Sequence, residues 1–333
     1  MKSTDIHTLA ERLLKGERRA LARAITLAES TRPDHRDTAN RLLHHLADRT
    51  GGAIRVGISG APGVGKSTFI EAFGNHILEQ GHKIAVLAVD PSSPRSGGSI
   101  LGDKTRMETL ARHPAAFIRP SPSGGTLGGL ARRTREAMLI CEAAGFDLII
   151  VETVGAGQSE AAVADLVDVF VLLLAPAGGD QLQGLKKGIV ELADIIVVGK
   201  ADGDLARPAR QTQSEYEGAL GLLAKDAAKW SPPVLLASAI EGTGIDAVWE
   251  TIGEFCATHS GPDGLAAKRA AQAKTWMWRA IEERLIAQVR GDARSRKLIA
   301  FLEKQVVSGD KSPSAAADEI LAHVKLWKSG AGS

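Results

Sequence analysis

The sequence predicts an α/β protein whose centre is a doubly wound, mostly parallel sheet, with an N-terminal helical extension and a C-terminal helical arm. Three observations lead there. Short aliphatic runs alternate with helix-compatible segments between residues 51 and 259. A glycine-rich loop joins the first aliphatic run to the first of those helices. Both ends of the chain carry helical periodicity with no strand pattern.

Residues 1–50 form the extension. Leu9, Leu13 and Leu14, then Leu21, Ile25 and Leu27, then Leu42, Leu43 and Leu46 recur at helical spacing, with a break at Pro33. In the central domain, 51–259, the strands read as 53–59, 83–89, 116–120, 146–152, 168–175, 194–199 and 233–238. Their continuous apolar character suits parallel strands covered on both faces. Ser260-Gly261-Pro262-Asp263-Gly264 punctuates the chain as a linker. The arm, 260–333, is rich in Ala, Leu and charge and carries Trp276, Trp278 and Trp327. Within Leu265 to Val289, Trp276, Ile281, Leu285 and Ile286 make an amphipathic stripe that needs a partner surface, either a second subunit or the same one. A homodimer through this arm is the expectation.

Composition narrows the class. The 333 residues carry 41 basic and 39 acidic side chains, a net +2, which gives no case for a nucleic-acid footprint. Arg132, Arg133 and Arg135 read as a solvated helix face. No apolar run reaches membrane-spanning length. The two cysteines, Cys141 and Cys256, sit in apolar helical contexts and suggest a reducing compartment. Asp5, Glu11 and Glu17 argue against a transit peptide. A cytoplasmic enzyme is expected.

The loop Gly60-Ala61-Pro62-Gly63-Val64-Gly65-Lys66-Ser67-Thr68 follows a strand and opens a helix. This is the P-loop arrangement: glycines let backbone N–H groups approach phosphate oxygens, and the helix N-terminus adds partial positive charge. Lys66 would reach the β- and γ-phosphates and Ser67 would offer its hydroxyl to Mg²⁺.

The base is read further along. Gly199-Lys200-Ala201-Asp202 follows one strand, and Ser238-Ala239-Ile240-Glu241-Gly242 follows the next. A carboxylate at Asp202 can accept the ring N–H and the exocyclic amine of guanine, a donor pair that adenine lacks, so the site selects GTP. The Lys200 stem would pack over the base plane, and the amides of Ser238, Ala239 and Ile240 would face the guanine oxygen. Gly199 stands where the usual pattern has Asn, removing a base contact and a tether to the P-loop.

Glu152-Thr153-Val154-Gly155 ends the fourth strand, with Glu152 in place of the usual Asp and the Gly155 N–H set to sense the γ-phosphate. Asp90, leaving a strand expected beside the P-loop strand, and Asp103, in the Gly- and Ser-rich segment beyond it, are candidates to complete the metal site with Ser67 and Glu152. A turn or helix-cap role is the alternative for both. For catalysis the candidates are Lys66, Asp90, Asp103, Glu152 and Gln158. Gln158 is set against the alternative of a polar loop residue, because Ala156 occupies the position where fast GTPases carry a water-orienting Gln. Intrinsic turnover is therefore expected to be slow and partner-stimulated.

The strings Gly60 to Thr68, Asp90-Pro-Ser-Ser-Pro94, Thr126-Leu-Gly-Gly-Leu130, Glu152-Thr-Val-Gly-Ala-Gly-Gln-Ser-Glu160 and Lys200-Ala-Asp-Gly-Asp204 occur in that order. Together they resemble the methylmalonyl-CoA mutase-associated G proteins, the MeaB/ArgK branch of GTPases with a Glu-type acid. The resemblance implies a homodimeric GTPase chaperone. Such a chaperone protects adenosylcobalamin-dependent methylmalonyl-CoA mutase and gates its cofactor loading. It also implies a third mobile loop at 176–188, where Asp180, Gln183, Lys186 and Lys187 would meet the partner or the nucleotide. Communication with the mutase is expected through the loops after Glu152 and Ala175, which should leave neighbouring strand ends.

Two other classes share parts of the pattern. A metal-delivery accessory GTPase would need soft or imidazole cargo ligands, and the cysteines and nine histidines show no such spacing. A nucleotide-dependent kinase linked to amino-acid transport would need an acceptor-substrate motif, and none is recognisable. A non-enzymatic scaffold is disfavoured by the intact Lys66, Ser67 and Glu152.

Overall fold

The computed structural model describes residues 3–90, 107–122, 127–153, 159–176, 187–223, 229–291 and 293–323. The chain groups into two compact units, Met1–Ala270 and Ala271–Ser333.

The first unit opens with three helices, α1 (Ser3–Leu14), α2 (Arg18–Glu29) and α3 (Pro33–Leu46). Leu9, Leu13, Leu21, Ile25, Leu42 and Leu46 are buried, as their spacing demands. Pro33 starts α3 at a position where a missing N–H costs nothing.

Strands and helices then alternate: β1 (Ile54–Gly60), α4 (Lys66–Glu79), β2 (Ile84–Asp90), α5 (Glu108–Arg112), β3 (Ala116–Pro122), α6 (Leu127–Ala143), β4 (Leu148–Thr153), α7 (Ser159–Ala164) and β5 (Val169–Leu174). The unit continues through α8 (Lys187–Val190), β6 (Ile195–Val198), α9 (Ala206–Leu223), β7 (Val234–Leu236) and α10 (Ile245–Thr258). All seven expected strands form, and they pair in parallel in the order β3-β2-β4-β1-β5-β6-β7. On one face α4 and α10 pack Phe69, Ile70, Phe73, Ile77, Val248, Ile252 and Phe255 against Val56, Ile58, Ile150 and Val171. Each such side chain contributes roughly 1.5–3 kcal/mol on burial. On the other side of the unit, α6 contributes buried Ala137, Met138 and Cys141 and packs against α2 and α3.

The strand order corrects two expectations. β2 does not lie beside the P-loop strand, because β4 is inserted between them. The order of strands along the chain does not encode their order in space: a right-handed crossover can skip one position and leave it for a later strand. Among the described residues β3, with Pro120 and Pro122, pairs only with β2 and takes the edge, where proline is tolerated. The segments after β4 and β5 likewise leave strands that flank β1 on either side and are not neighbours of each other.

The arginine cluster on α6 is also not a solvated face. Arg133 is buried and Arg132 and Arg135 are half-buried. Arg132 donates to both oxygens of buried Glu136 at 3.1 Å, so the ion pair carries charge into the layer against α3. Burial raises the Glu136 carboxyl, and the facing Arg132, Arg135 and Arg36 oppose that rise.

Cys141 is buried and Cys256 half-buried, and both are free thiols. Burial pushes Cys256 up to about 11 and Cys141 further still, which keeps both protonated and unreactive at neutral pH. No helix among the described residues is long and apolar enough to cross a membrane.

Beyond β7 and α10 the chain enters α11 (Leu265–Gly291), which runs into the second unit, followed by α12 (Ala293–Ser308) and α13 (Pro313–His323). Within the second unit α12 and α13 pack together, and Leu302 and Ala316 are buried. The 271–291 part of α11 leaves Met277, Trp278, Ile281, Leu285 and Ile286 exposed.

Candidate functional site

The site is assembled at the C-terminal ends of the parallel strands. β1 ends at Gly60, whose backbone runs so close to β5 that a Cβ there would overlap the Leu173 carbonyl oxygen. The loop then turns through Gly63 (φ +79°) and Gly65 (φ +101°), left-handed conformations that favour glycine, and α4 begins at Lys66. The turn is closed by the Val64 N–H donating to the Ala61 carbonyl at 3.3 Å. Pro62 lies within that turn, and buried Val64 anchors the loop to the core.

The Lys66 ammonium folds back under the loop and donates to the Gly60 and Ala61 carbonyls at 2.8 and 3.1 Å. Burial lowers its pKa from the ordinary lysine value, against the opposing pull of Glu152 and Glu160. A buried cation beside a glycine-lined helix N-terminus is set to receive phosphate oxygens.

Ser67 donates its hydroxyl to Glu152 Oε1 at 3.1 Å, so the P-loop helix and the end of β4 meet directly. The register Ile58↔Glu152↔Ala88 places that carboxylate between β1 and β2. These are hard oxygen donors of the kind Mg²⁺ takes alongside phosphate and water, so the residues present fit that ion. When bound, it would neutralise charge on the phosphates, with Ser67 and Glu152 holding it. The backbone of Asp90 ends β2, one residue past the Val89↔Thr153 pairing and therefore two strands from the P-loop strand. Asp103, Gly155 and Gln158 lie outside the described residues, as do Asp180, Gln183 and Lys186.

The two base-loop segments come together against the P-loop. Gly199 N–H donates to the Leu174 carbonyl at 2.9 Å, and Ala201 N–H to the Ala237 carbonyl at 3.1 Å. Lys200 takes a left-handed backbone (φ +54°), rare for a residue with a side chain, and its ammonium donates to the Gly63 carbonyl at 2.9 Å. The tether thought lost with the missing Asn is thus supplied by Lys200. Buried Ser238 donates its hydroxyl to Asp202 and accepts the Glu241 N–H at 3.1 Å, orienting the carboxylate.

The Ser238 amide is used differently from the expectation, because it donates to the Thr243 carbonyl at 2.9 Å. Ala239 and Ile240 remain as amides to face a base. Both line a cavity of about 200 Å³ together with Gly65, Thr68, Lys200 and Asp202. Leu205 also lines it, a residue the sequence did not single out.

A second link escaped the sequence reading. Thr153 donates its hydroxyl to Ser59 at 2.7 Å, and both residues are fully buried. Ser59 and Thr153, polar residues inside largely apolar strands, were the available signal.

Relatives agree with this architecture. A mouse protein named methylmalonic aciduria type A homolog, mitochondrial, is 51% identical over 327 residues, 95% of this chain and 78% of its own. The Escherichia coli K12 protein named GTPase ArgK is 50% identical over 282 residues, 84% and 85% of the two chains. A crystal structure titled LAO/AO transport system kinase superposes with a TM-score of 0.75 at 37% identity, covering 97% of this chain and 98% of that one. The family model described as methylmalonyl Co-A mutase-associated GTPase MeaB matches residues 21–294. The phosphate loop, the guanine-type base loops and the family match converge: this chain is a GTPase and belongs to the MeaB family.

Proposed function

We propose that this GTPase is a Mg²⁺-dependent chaperone of adenosylcobalamin-dependent methylmalonyl-CoA mutase, protecting the mutase and using its nucleotide state to gate cofactor loading. The observation that carries the reading is the placement of the strand ends around the P-loop. β4 and β5 flank β1, so their described ends stand on either side of the strand that leads into the phosphate loop, and 154–158 and 177–186 come next in the chain. A contact between Gly155 and a γ-phosphate would act on the first of these, and a mutase seated against both would sense GTP or GDP. By linkage, a mutase that prefers one nucleotide state changes nucleotide affinity by the same factor.

In this reading Lys66 and the P-loop amides hold the phosphates, Asp202 and the Ala239 and Ile240 amides select guanine, and Ser67 and Glu152 hold the ion. Asp90, Asp103 and Gln158 are the remaining candidates for the metal and the attacking water. The exposed apolar side chains of α11 support a homodimer, because an apolar patch of that kind marks an association surface. The free, protonated thiols suit a reducing compartment such as the cytoplasm.

The test is GTP turnover with and without a cobalamin-dependent mutase, together with co-purification in GDP and in a nonhydrolysable GTP analogue. Nucleotide-dependent association and stimulated turnover are expected. Turnover indifferent to the mutase, with no association in either nucleotide, overturns the chaperone role.

A further inference from the structure

We infer that Thr153 is a positioning residue for the triphosphate state, acting through its hydroxyl bond to Ser59. The inference rests on the reading of Gly60–Thr68 and Glu152 as the phosphate and metal site, and it does not depend on the mutase.

The geometry is specific. β1 and β4 pair in register through Ile58↔Glu152, and Ser59 and Thr153 lie one step beyond that pairing. Both side chains are excluded from solvent, and the Thr153 hydroxyl donates to Ser59 Oγ at 2.7 Å. Hydroxyls in such a place cost free energy unless they are paired, so the two residues hold each other.

What matters is what each residue adjoins. Ser59 precedes Gly60, whose carbonyl accepts the Lys66 ammonium at 2.8 Å. Thr153 follows Glu152, whose carboxylate accepts the Ser67 hydroxyl at 3.1 Å. Successive strand side chains point to opposite faces, so Glu152 reaches the α4 side while Thr153 locks the opposite side. A shift of the β4 end relative to β1 would therefore move Glu152 away from Ser67 and break the Thr153–Ser59 bond together. The hydroxyl pair is the fastener, and the carboxylate is what it places.

A diphosphate depends chiefly on Lys66 and the loop amides, whereas a triphosphate with its ion also calls on Glu152. Loss of the bond should consequently separate the two nucleotides, a readout that a merely structural role would not move.

The experiment measures Kd for GDP and for a nonhydrolysable GTP analogue in Mg²⁺, with thermal stability alongside, for wild type, Thr153→Val, Thr153→Ser and Ser59→Ala. Valine keeps the branched shape and removes the donor. We expect Thr153→Val to weaken the analogue roughly 5- to 10-fold, the scale of one hydrogen bond, with GDP within about twofold. Its turnover should require more Mg²⁺, and Thr153→Ser should restore the analogue affinity. Ser59→Ala, which removes the acceptor, should repeat the valine result and serves if that variant fails to fold. Equal weakening of both nucleotides, or no change in either at unchanged stability, overturns the inference. Wild-type protein that binds neither nucleotide overturns the site reading itself.

Discussion

Ser67 and Glu152, 85 residues apart in the chain, meet through a hydroxyl–carboxylate hydrogen bond of 3.1 Å that joins the P-loop helix to the end of β4. The contact puts a carboxyl group only 4% exposed beside the hydroxyl that a P-loop offers to a cation. Replacing Glu152 by Gln keeps the size and removes the charge. GTP turnover should fall, and the Mg²⁺ needed for half-maximal turnover should rise, by about 10–100-fold, as when a metal site loses a supporting group. Asp90→Ala and Asp103→Ala in the same titration decide whether either acid shares this role. A variant with wild-type turnover at every Mg²⁺ concentration does not touch the ion.

Asp202, held by the Ser238 hydroxyl, presents a carboxylate at the base cavity. Asp202→Asn exchanges an acceptor for a donor and should move preference from guanosine toward xanthosine triphosphate. Competition binding with the two nucleotides measures this. Unchanged preference for GTP removes Asp202 from base recognition.

Gly199 leaves room for a side chain. A Cβ there would meet only the Leu174 and Val64 carbonyls, at 3.8 and 3.9 Å, which is ordinary van der Waals contact. Gly199→Asn should be accommodated and should tighten GTP by about 1 kcal/mol, one added hydrogen bond. Calorimetric titration of the variant reads the change, and equal affinity means that the Lys200 tether to Gly63 already meets the need.

Burial lowers the Lys66 ammonium below the ordinary value of 10.5, which the unfolded chain retains. Its contribution to stability is therefore least favourable at neutral pH and rises as pH climbs from the lowered value toward 10.5. Phosphate reverses the sign by favouring the ammonium. GDP binding at alkaline pH should take up protons, and affinity should decline as pH rises through this window. Binding heats at alkaline pH in two buffers of different ionisation enthalpy would show the uptake. Lys66→Arg, charged throughout, should abolish it.

At the other end of β5, Asp168 is fully buried and accepts both the Arg55 N–H at 2.9 Å and the Arg269 guanidinium, Nε at 2.8 Å. Arg269 also donates to the Ala53 carbonyl at 2.7 Å. Arg269→Ala leaves a buried carboxylate without its cation and should destabilise the first unit by about 3–5 kcal/mol. A lower urea midpoint at neutral pH is the expected readout. An unchanged midpoint would mean that Lys268, which donates to the Asp168 carbonyl at 2.7 Å, shifts to compensate.

Much of this protein was legible in the sequence because the signals are local. Seven aliphatic runs announced seven strands, since a strand buried on both faces must be apolar along its length. Gly60 to Thr68 marked the phosphate loop because left-handed turns and close backbone approach require glycine at particular positions. That Lys200, Asp202 and Ser238 would come together beside the P-loop was legible for the same kind of reason: each sits just past a strand end on one edge of a parallel sheet.

Relations between distant segments were decided by the tertiary structure. The insertion of β4 between β1 and β2 depends on crossover geometry, which strand composition does not encode, and it moved Asp90 two strands from the P-loop. The burial of Arg133 and half-burial of Arg132 followed from the docking of α6 against the N-terminal helices, which drew an apparent surface cluster inward and paired Arg132 with Glu136. Ser238 gave its amide to Thr243 and its hydroxyl to Asp202, a division of labour set by the path of the loop. Periodicity records which residues leave water. Which of them then meet depends on how segments far apart in the chain come together: strand register brought Ser59 to Thr153, and the docking of the P-loop helix on the sheet brought Ser67 to Glu152.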